Sequence, residues 1–315
     1  LMKNLLIATT ALVATAGFAA ADVTFSGAAN FGVINTGGTA AVAAVAATAT
    51  TNAVVAANAV PAGDTVMYNN VSVTAAMSGE TDGGLTFGSS LTFRSGDDVD
   101  LDVGDITNAG ALGATSLGNI YVSGDFGKLT FDANGVDNAH NDDFSHDVMY
   151  NGTFGALAVT VTANVEDGTT ADGEDFSAKV VYSASGITVT AATDDSGESD
   201  TTLAYVLNDM ITASLNYDTN GQTTAETIVK VAYSNAGVTA HLALADDDDD
   251  QWELGLGYTA NGMSIAAVFA ENDGDATTTD EEMDITASYD LGGGMTMNAA
   301  YNESGAFFIG SKMSF

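Results

Sequence analysis

Cysteine is missing altogether, and proline occurs only once. Without cysteine there is no disulfide framework, no thiolate metal site and no cysteine nucleophile. With a single proline, almost nothing interrupts a ladder of backbone hydrogen bonds. Positive charge is nearly as scarce: 6 Lys and Arg stand against 42 Asp and Glu, for a net charge of −36. That balance excludes a nucleic-acid partner, whose phosphates need a basic surface. It attracts cations and repels anions wherever the acids sit. The 3 histidines include no H-x-x-x-H pair, so the zinc spacing of many hydrolases is lacking. There is no G-x-S-x-G elbow, and no Walker or dinucleotide-binding glycine pattern. These absences point away from an enzyme.

What the chain does have is alternation. Near its end, Met283, Ile285, Ala287 and Tyr289 fall on one face, followed by Met295, Met297, Ala299 and Tyr301, then Phe307, Ile309, Met313 and Phe315. Asp284, Thr286, Ser288, Thr296, Asn298, Lys312 and Ser314 fall on the other. A period of two, apolar on one side and polar on the other, predicts β-strands. Repeated to the last residue, it is the pattern of a membrane-spanning barrel. The 35 glycines suit the many tight turns such a chain needs.

In chain order, Met2-Lys3-Asn4 is a short positive segment, Leu5 to Phe18 is apolar, and Ala19-Ala20-Ala21 is a small-residue cleavage box. This reads as a secretory signal peptide cleaved after Ala21, with residues 22–315 forming one barrel domain. Val23 to Asn35 is the first strand. Thr36 to Gly63 is rich in Ala, Val and Thr. It is long enough to resemble a membrane helix, but Asn52, Asn58 and several Thr favour a long loop, one that could pack against a neighbouring subunit. Hairpins follow from Val66 onward. Gly96 to Leu117 reads as an acidic loop, and Ala133 to Ser145 as another.

Connections are of two kinds. Some are tight: Ser185-Gly186, Asn235-Ala236-Gly237, Asn261-Gly262 and Gly292-Gly293-Gly294. Others are longer and acidic: Glu166 to Asp175, Asp194 to Asp200, Asp246 to Asp250 and Glu271 to Asp280. Short periplasmic turns and longer extracellular loops are the asymmetry of outer-membrane barrels. Tyr182, Tyr233, Tyr258 and Tyr289 each precede a short turn, as an aromatic girdle at one membrane interface would. Arg94, Lys179, Lys230 and Lys312 sit on the polar face of their strands. A basic side chain facing lipid would cost roughly 2–4 kcal/mol at mid-bilayer, so these point into a wet interior. The expected fold is all-β: a transmembrane antiparallel β-barrel of 16–18 strands, with the strand-by-strand reading giving 18. At that size side chains no longer fill the interior, and the barrel encloses an aqueous channel.

The chain resembles the Gram-negative general diffusion porins, of the alphaproteobacterial (purple-bacterium) type. The resemblance lies in Ser78-Gly79-Glu80-Thr81-Asp82-Gly83-Gly84-Leu85-Thr86-Phe87-Gly88, Val122-Ser123-Gly124-Asp125-Phe126-Gly127-Lys128-Leu129, Ser288-Tyr289-Asp290-Leu291-Gly292-Gly293-Gly294 and the terminal Phe315. It implies a homotrimer of 16-stranded barrels in the outer membrane, in contact with lipid and lipopolysaccharide. It implies passive diffusion of small hydrophilic solutes and ions, and no required cofactor. It also implies that the loop from Ala133 to Ser145 folds inward and narrows the pore. The candidate constriction residues are then Asp132, Asp137, His140, Asp142 and Asp143, facing Arg94, Lys128, Lys179 and Lys230. The chain departs from the family here, because it has too few basic residues for a dense basic cluster. A cation preference follows.

Asp246, Asp247, Asp248, Asp249 and Asp250 form a run of acids. The preferred reading is a solvated loop; the sharper one is a Ca2+ site, since hard cations take carboxylate oxygens, with calcium bridging to lipopolysaccharide phosphates. His140 and His146 flank acids but lack a metal-ligand spacing. The alternative function is a secreted, acidic, calcium-binding β-rich surface protein, although the nine-residue G-G-x-G-x-D repeat of such solenoids is missing.

Overall fold

The computed structural model describes residues 22–37, 63–101, 106–111, 115–140, 145–165, 175–219, 225–246, 251–271 and 281–315. The expected signal peptide, most of the Ala-rich segment, Asp142, Asp143 and Asp247 to Asp250 lie outside them. Among the described residues every regular element is a strand.

In order these are β1 (Asp22–Asn35), β2 (Val66–Glu80), β3 (Thr86–Asp100), β4 (Thr107–Ala111), β5 (Thr115–Gly124), β6 (Gly127–Asp137) and β7 (Ser145–Phe154). Then come β8 (Leu157–Ala163), β9 (Phe176–Ala184), β10 (Ile187–Asp194), β11 (Ser199–Asn208), β12 (Ile211–Asp218) and β13 (Glu226–Asn235). The chain closes with β14 (Val238–Asp246), β15 (Trp252–Ala260), β16 (Met263–Glu271), β17 (Glu281–Gly292), β18 (Met295–Tyr301) and β19 (Phe307–Ser314). β4 pairs only with β3, and the remaining 18 strands form a closed antiparallel barrel. Around the wall each strand pairs with the next in sequence, β3 passing over β4 to β5 and β1 closing on β19.

The turns explain that order locally. Ser185 and Gly186 have φ of 52° and 79°, Ala236 and Gly237 have 50° and 83°, and Asn261 and Gly262 have 52° and 79°. Two successive positive φ values are the signature of a type I′ turn, whose twist matches that of the strands it joins.

Closure occurs between β1 and β19, with Ala28 opposite Ser314 and Asn35 opposite Phe307. The seam extends to the last residue: the Gly27 N–H donates to the Phe315 carbonyl at 2.6 Å, and the Phe315 N–H donates to the Gly27 carbonyl at 2.9 Å. A closed barrel leaves no unpaired edge, which is what a strand protein in lipid requires.

The buried set is small, and the large apolar residues lie outside. Leu203, Leu215, Val229, Val231, Leu242 and Leu256 are all exposed, on alternate positions of consecutive strands. In a soluble domain such a surface would be an interaction liability; around a barrel it is the lipid band. Tyr182, Tyr233, Tyr258 and Tyr289 join this outer face at the short-turn end.

Two expected loops are shorter than their sequence suggested. β3 continues to Asp100, where Val99 pairs with Asn108 of β4, and β5 begins at Thr115. β6 continues through Ala133 to Asp137, with Val136 opposite His146 and Asp137 opposite Ser145 across a register irregularity. The sixteen strands implied by the resemblance also give way to eighteen. The hairpin β11–β12 is bonded to β10 on one side and β13 on the other, so it is wall and not an appendage.

Candidate functional site: the barrel interior

Inward positions carry the polar residues that the alternation places there. They bond to one another across strands: Asn30 to Asn70 at 2.9 Å, Thr74 to Thr92 at 2.8 Å, Asn151 to Thr160 at 3.0 Å and Asn216 to Asp200 at 2.7 Å. A cavity of about 480 Å³ is lined by Asn30, Thr286, Asn298 and Lys312 from the wall, by Val99 at the end of β3 and by Leu101 from the segment that follows it.

That segment enters the barrel. Ile106, only 3% exposed, packs with Ile34, Tyr68, Ala300, Ala306 and Phe308, and Val99 and Leu101 lie against the same cluster. This is the largest apolar core among the described residues, and it sits where a loop meets the inner wall. Sequence reasoning missed it. The signal was there in Val99, Leu101 and Ile106, spaced among Asp97, Asp98 and Asp100. Apolar residues in an acidic loop need a cover, and the only cover near a barrel mouth is the barrel itself.

A second segment, residues 138–140, folds onto β9 and β10. The Ala139 N–H donates to Ser177 Oγ at 2.8 Å. Ser177 Oγ in turn pairs with Thr162 Oγ1, and His146 Nδ1 lies 2.7 Å from Thr162 Oγ1. His146, Thr162 and Ser177 are fully buried. His140 Nδ1 lies 3.2 Å from Asp194 Oδ2, with both side chains almost wholly enclosed. The hydroxyls of Thr162 and Ser177 are satisfied within the patch, whereas His140 Nδ1, His146 Nε2 and Asp194 Oδ2 are buried without a hydrogen-bond partner.

The candidate constriction residues are therefore dispersed. Asp132 is half-buried on β6, and Asp137 is exposed at the end of that strand. His140 lies against β10. Lys128 Nζ sits 4.6 Å from the centre of the Tyr121 ring, a cation–π contact that fixes its direction. Arg94 is exposed on β3 opposite Ser72. Lys179 stands between Thr160 and Ala192 on β9. Around the wall, Arg94 and Lys128 are two strands apart, Lys179 is three further on, and Lys230 four beyond that. No single wall carries a basic cluster. Lys230 instead bonds to Glu253 at 3.3 Å, and Glu253 also holds His241. Gly255 makes room for that histidine, since a Cβ there would overlap the imidazole. Glu253 was also missed by sequence reasoning, because only the register that sets Glu253 opposite Ala243, itself opposite Lys230, puts acid and base on one row. Asp246 ends β14 at the rim, and the acids that follow it lie outside the described residues.

A family model for Gram-negative porins matches residues 8–306. Among solved structures, the chain is similar to an engineered triple mutant of the Rh. blastica porin, with a TM-score of 0.51 at 18% identity over 93% of this chain and 100% of that one. A second Rh. blastica porin mutant gives 0.50 at 19% identity with the same coverage. A porin structure refined at 1.8 Å gives 0.50 at 15% identity, again over 93% and 100%. No curated protein matches.

Proposed function

The chain belongs to the Gram-negative porin family and forms a passive diffusion channel of the outer membrane, and on that premise we propose that its pore prefers cations and works in a homotrimer. The observation that carries the reading is the charge balance of the chain together with the dispersal of its basic side chains around the wall. Acids outnumber basic residues 42 to 6 over the chain, and the basic residues of the interior are spread over separate strands. A mouth lined by one sign of charge concentrates the opposite ion and depletes its own. Selection then comes from charge and width, with no binding site needed.

The signal peptide ending at Ala21 delivers the chain to the secretory route in this reading, and the long-loop end of the barrel faces outward. Residues 138–140 and the Ile106 segment narrow the channel from that end. Calcium held by the acidic loops, including Asp246, neutralises neighbouring carboxylates against lipopolysaccharide phosphates.

Liposome swelling tests the size and passivity of the channel. Refolded protein should admit neutral sugars at rates that fall smoothly with solute size and do not saturate. Saturation by one sugar at low concentration would replace general diffusion with a substrate-specific pathway. Crosslinking in detergent should stop at three chains.

A further inference from the structure

We propose that His140, Asp194 and Glu198 form a binding site for a borderline divalent transition ion of the Zn2+ class, which clasps the inward segment 138–140 to the end of β10. The ligand atoms of the three side chains lie within 4.8 Å of one another. Two of them are already placed. His140 Nδ1 and Asp194 Oδ2 are 3.2 Å apart, with side chains 1% and 0% exposed. Neither atom has a hydrogen-bond partner. They are close enough for an ion pair, yet the geometry is not that of an N–H···O bond. Two buried, unpartnered atoms at this separation are close to the spacing of two ligands on one ion: Zn–N and Zn–O bonds of about 2.1 Å at a tetrahedral angle put donors roughly 3.4 Å apart.

The rest of the surroundings holds these atoms in place. Asp194 Oδ1 accepts from Ser196 Oγ at 2.7 Å and from the N–H groups of Gly197 and Glu198 at 3.0 Å each. The carboxylate is thereby locked, with Oδ2 turned towards the histidine. The His140 N–H donates to Asn138 Oδ1 at 2.8 Å, and the Ala139 N–H is tied to Ser177, so the imidazole arrives on a fixed backbone. Glu198 is half-buried and its carboxylate supplies the third protein ligand, with water as the fourth. One imidazole nitrogen and two carboxylates suit zinc better than calcium, which prefers an all-oxygen shell.

The site is independent of whether the pore conducts, and it is tested in detergent. Refolded full-length protein, stripped with a chelator, is titrated with Zn2+ against a chromophoric competitor. One Zn2+ per chain should bind, at least tenfold more weakly in His140→Gln and in Asp194→Asn, and unchanged in Asp246→Asn. Replacement by Co2+ should give the intense visible absorption of a four-coordinate ion. Migration in unheated gels shows that each variant barrel is folded; if Asp194→Asn fails that check, His140→Gln and the Co2+ spectrum decide. Equal Zn2+ affinity in wild type and His140→Gln overturns the proposal, as does the absence of cobalt absorption. Displacement of Zn2+ by an equal concentration of Ca2+ overturns the assigned ion class.

Discussion

Gly32 of β1 faces Gly310 of β19 across the closing seam, and the Tyr68 side chain lies over the pair. Gly32 is paired with Gly310 on one side and with Tyr68 on the other. A Cβ on Gly310 would overlap the Tyr68 hydroxyl and sit 2.5 Å from the Phe31 carbonyl oxygen, and one on Gly32 would overlap the Ile309 carbonyl oxygen. The closest obstacles are largely backbone, so neither position has room to relax. Gly32→Ala and Gly310→Ala should each cost about 1–3 kcal/mol, the usual range for overpacking. A lower urea midpoint in micelles checks this, and unaltered midpoints would show that the seam is looser than described.

Turn glycines should differ among themselves. Gly237 has a φ of +83°, and its added Cβ would overlap the Thr259 carbonyl oxygen. Gly155 has a φ of +66° and nothing within 4 Å of an added Cβ. Left-handed backbone alone costs an L-residue about 1–2 kcal/mol. Gly155→Ala should lose about that much, and Gly237→Ala clearly more. Equal losses in parallel unfolding curves would remove the steric part of the argument.

Ile106 anchors the segment that follows β3. Ile106→Ala removes a 3% exposed side chain from a cluster that includes Tyr68 and Phe308, a change that typically costs about 2–5 kcal/mol. The loss should fall on the segment and leave the barrel ladder intact. Faster proteolysis within 98–114 and a larger single-channel conductance are expected, with the barrel still migrating as folded. Unchanged conductance would mean that this segment does not narrow the pore.

Much of this was legible in the residues, and the boundary of legibility has a physical cause. Strand existence and facing follow from a period of two, and on β18 the outward Met297 and Tyr301 are exposed while the inward Ala300 is buried. The I′ turns at Ser185-Gly186 and Asn261-Gly262 follow from residues that tolerate positive φ. What was hidden depends on register. Asp194 and His140 are 54 positions apart and meet only because three intervening strands bring β10 beside the inward segment. Strand ends were also hidden, since Gly96 to Asp100 and the pair Val136 and Asp137 read as loop by composition yet are held in ladders by partners elsewhere in the chain.

Charge on the wall should be felt by passing ions. Glu253 is bonded to Lys230 and His241 and is 41% exposed. A unit charge about 4 Å from an ion in water is worth about 1 kcal/mol, or at most about fivefold in ion preference before screening. Glu253→Gln should lower the cation-to-anion permeability ratio, and Lys230→Gln should raise it. Unchanged ratios would place this cluster away from the ion path, and shifts in the opposite sense would contradict the charge argument.

The most direct test of the whole account is single-channel recording in a planar bilayer under a salt gradient. Stepwise openings with a reversal potential of cation-selective sign are the expected result, with closures in threes if the trimer conducts as a unit. A reversal potential of anion-selective sign would contradict the charge argument, and a well-folded protein that passes no current would contradict the channel itself.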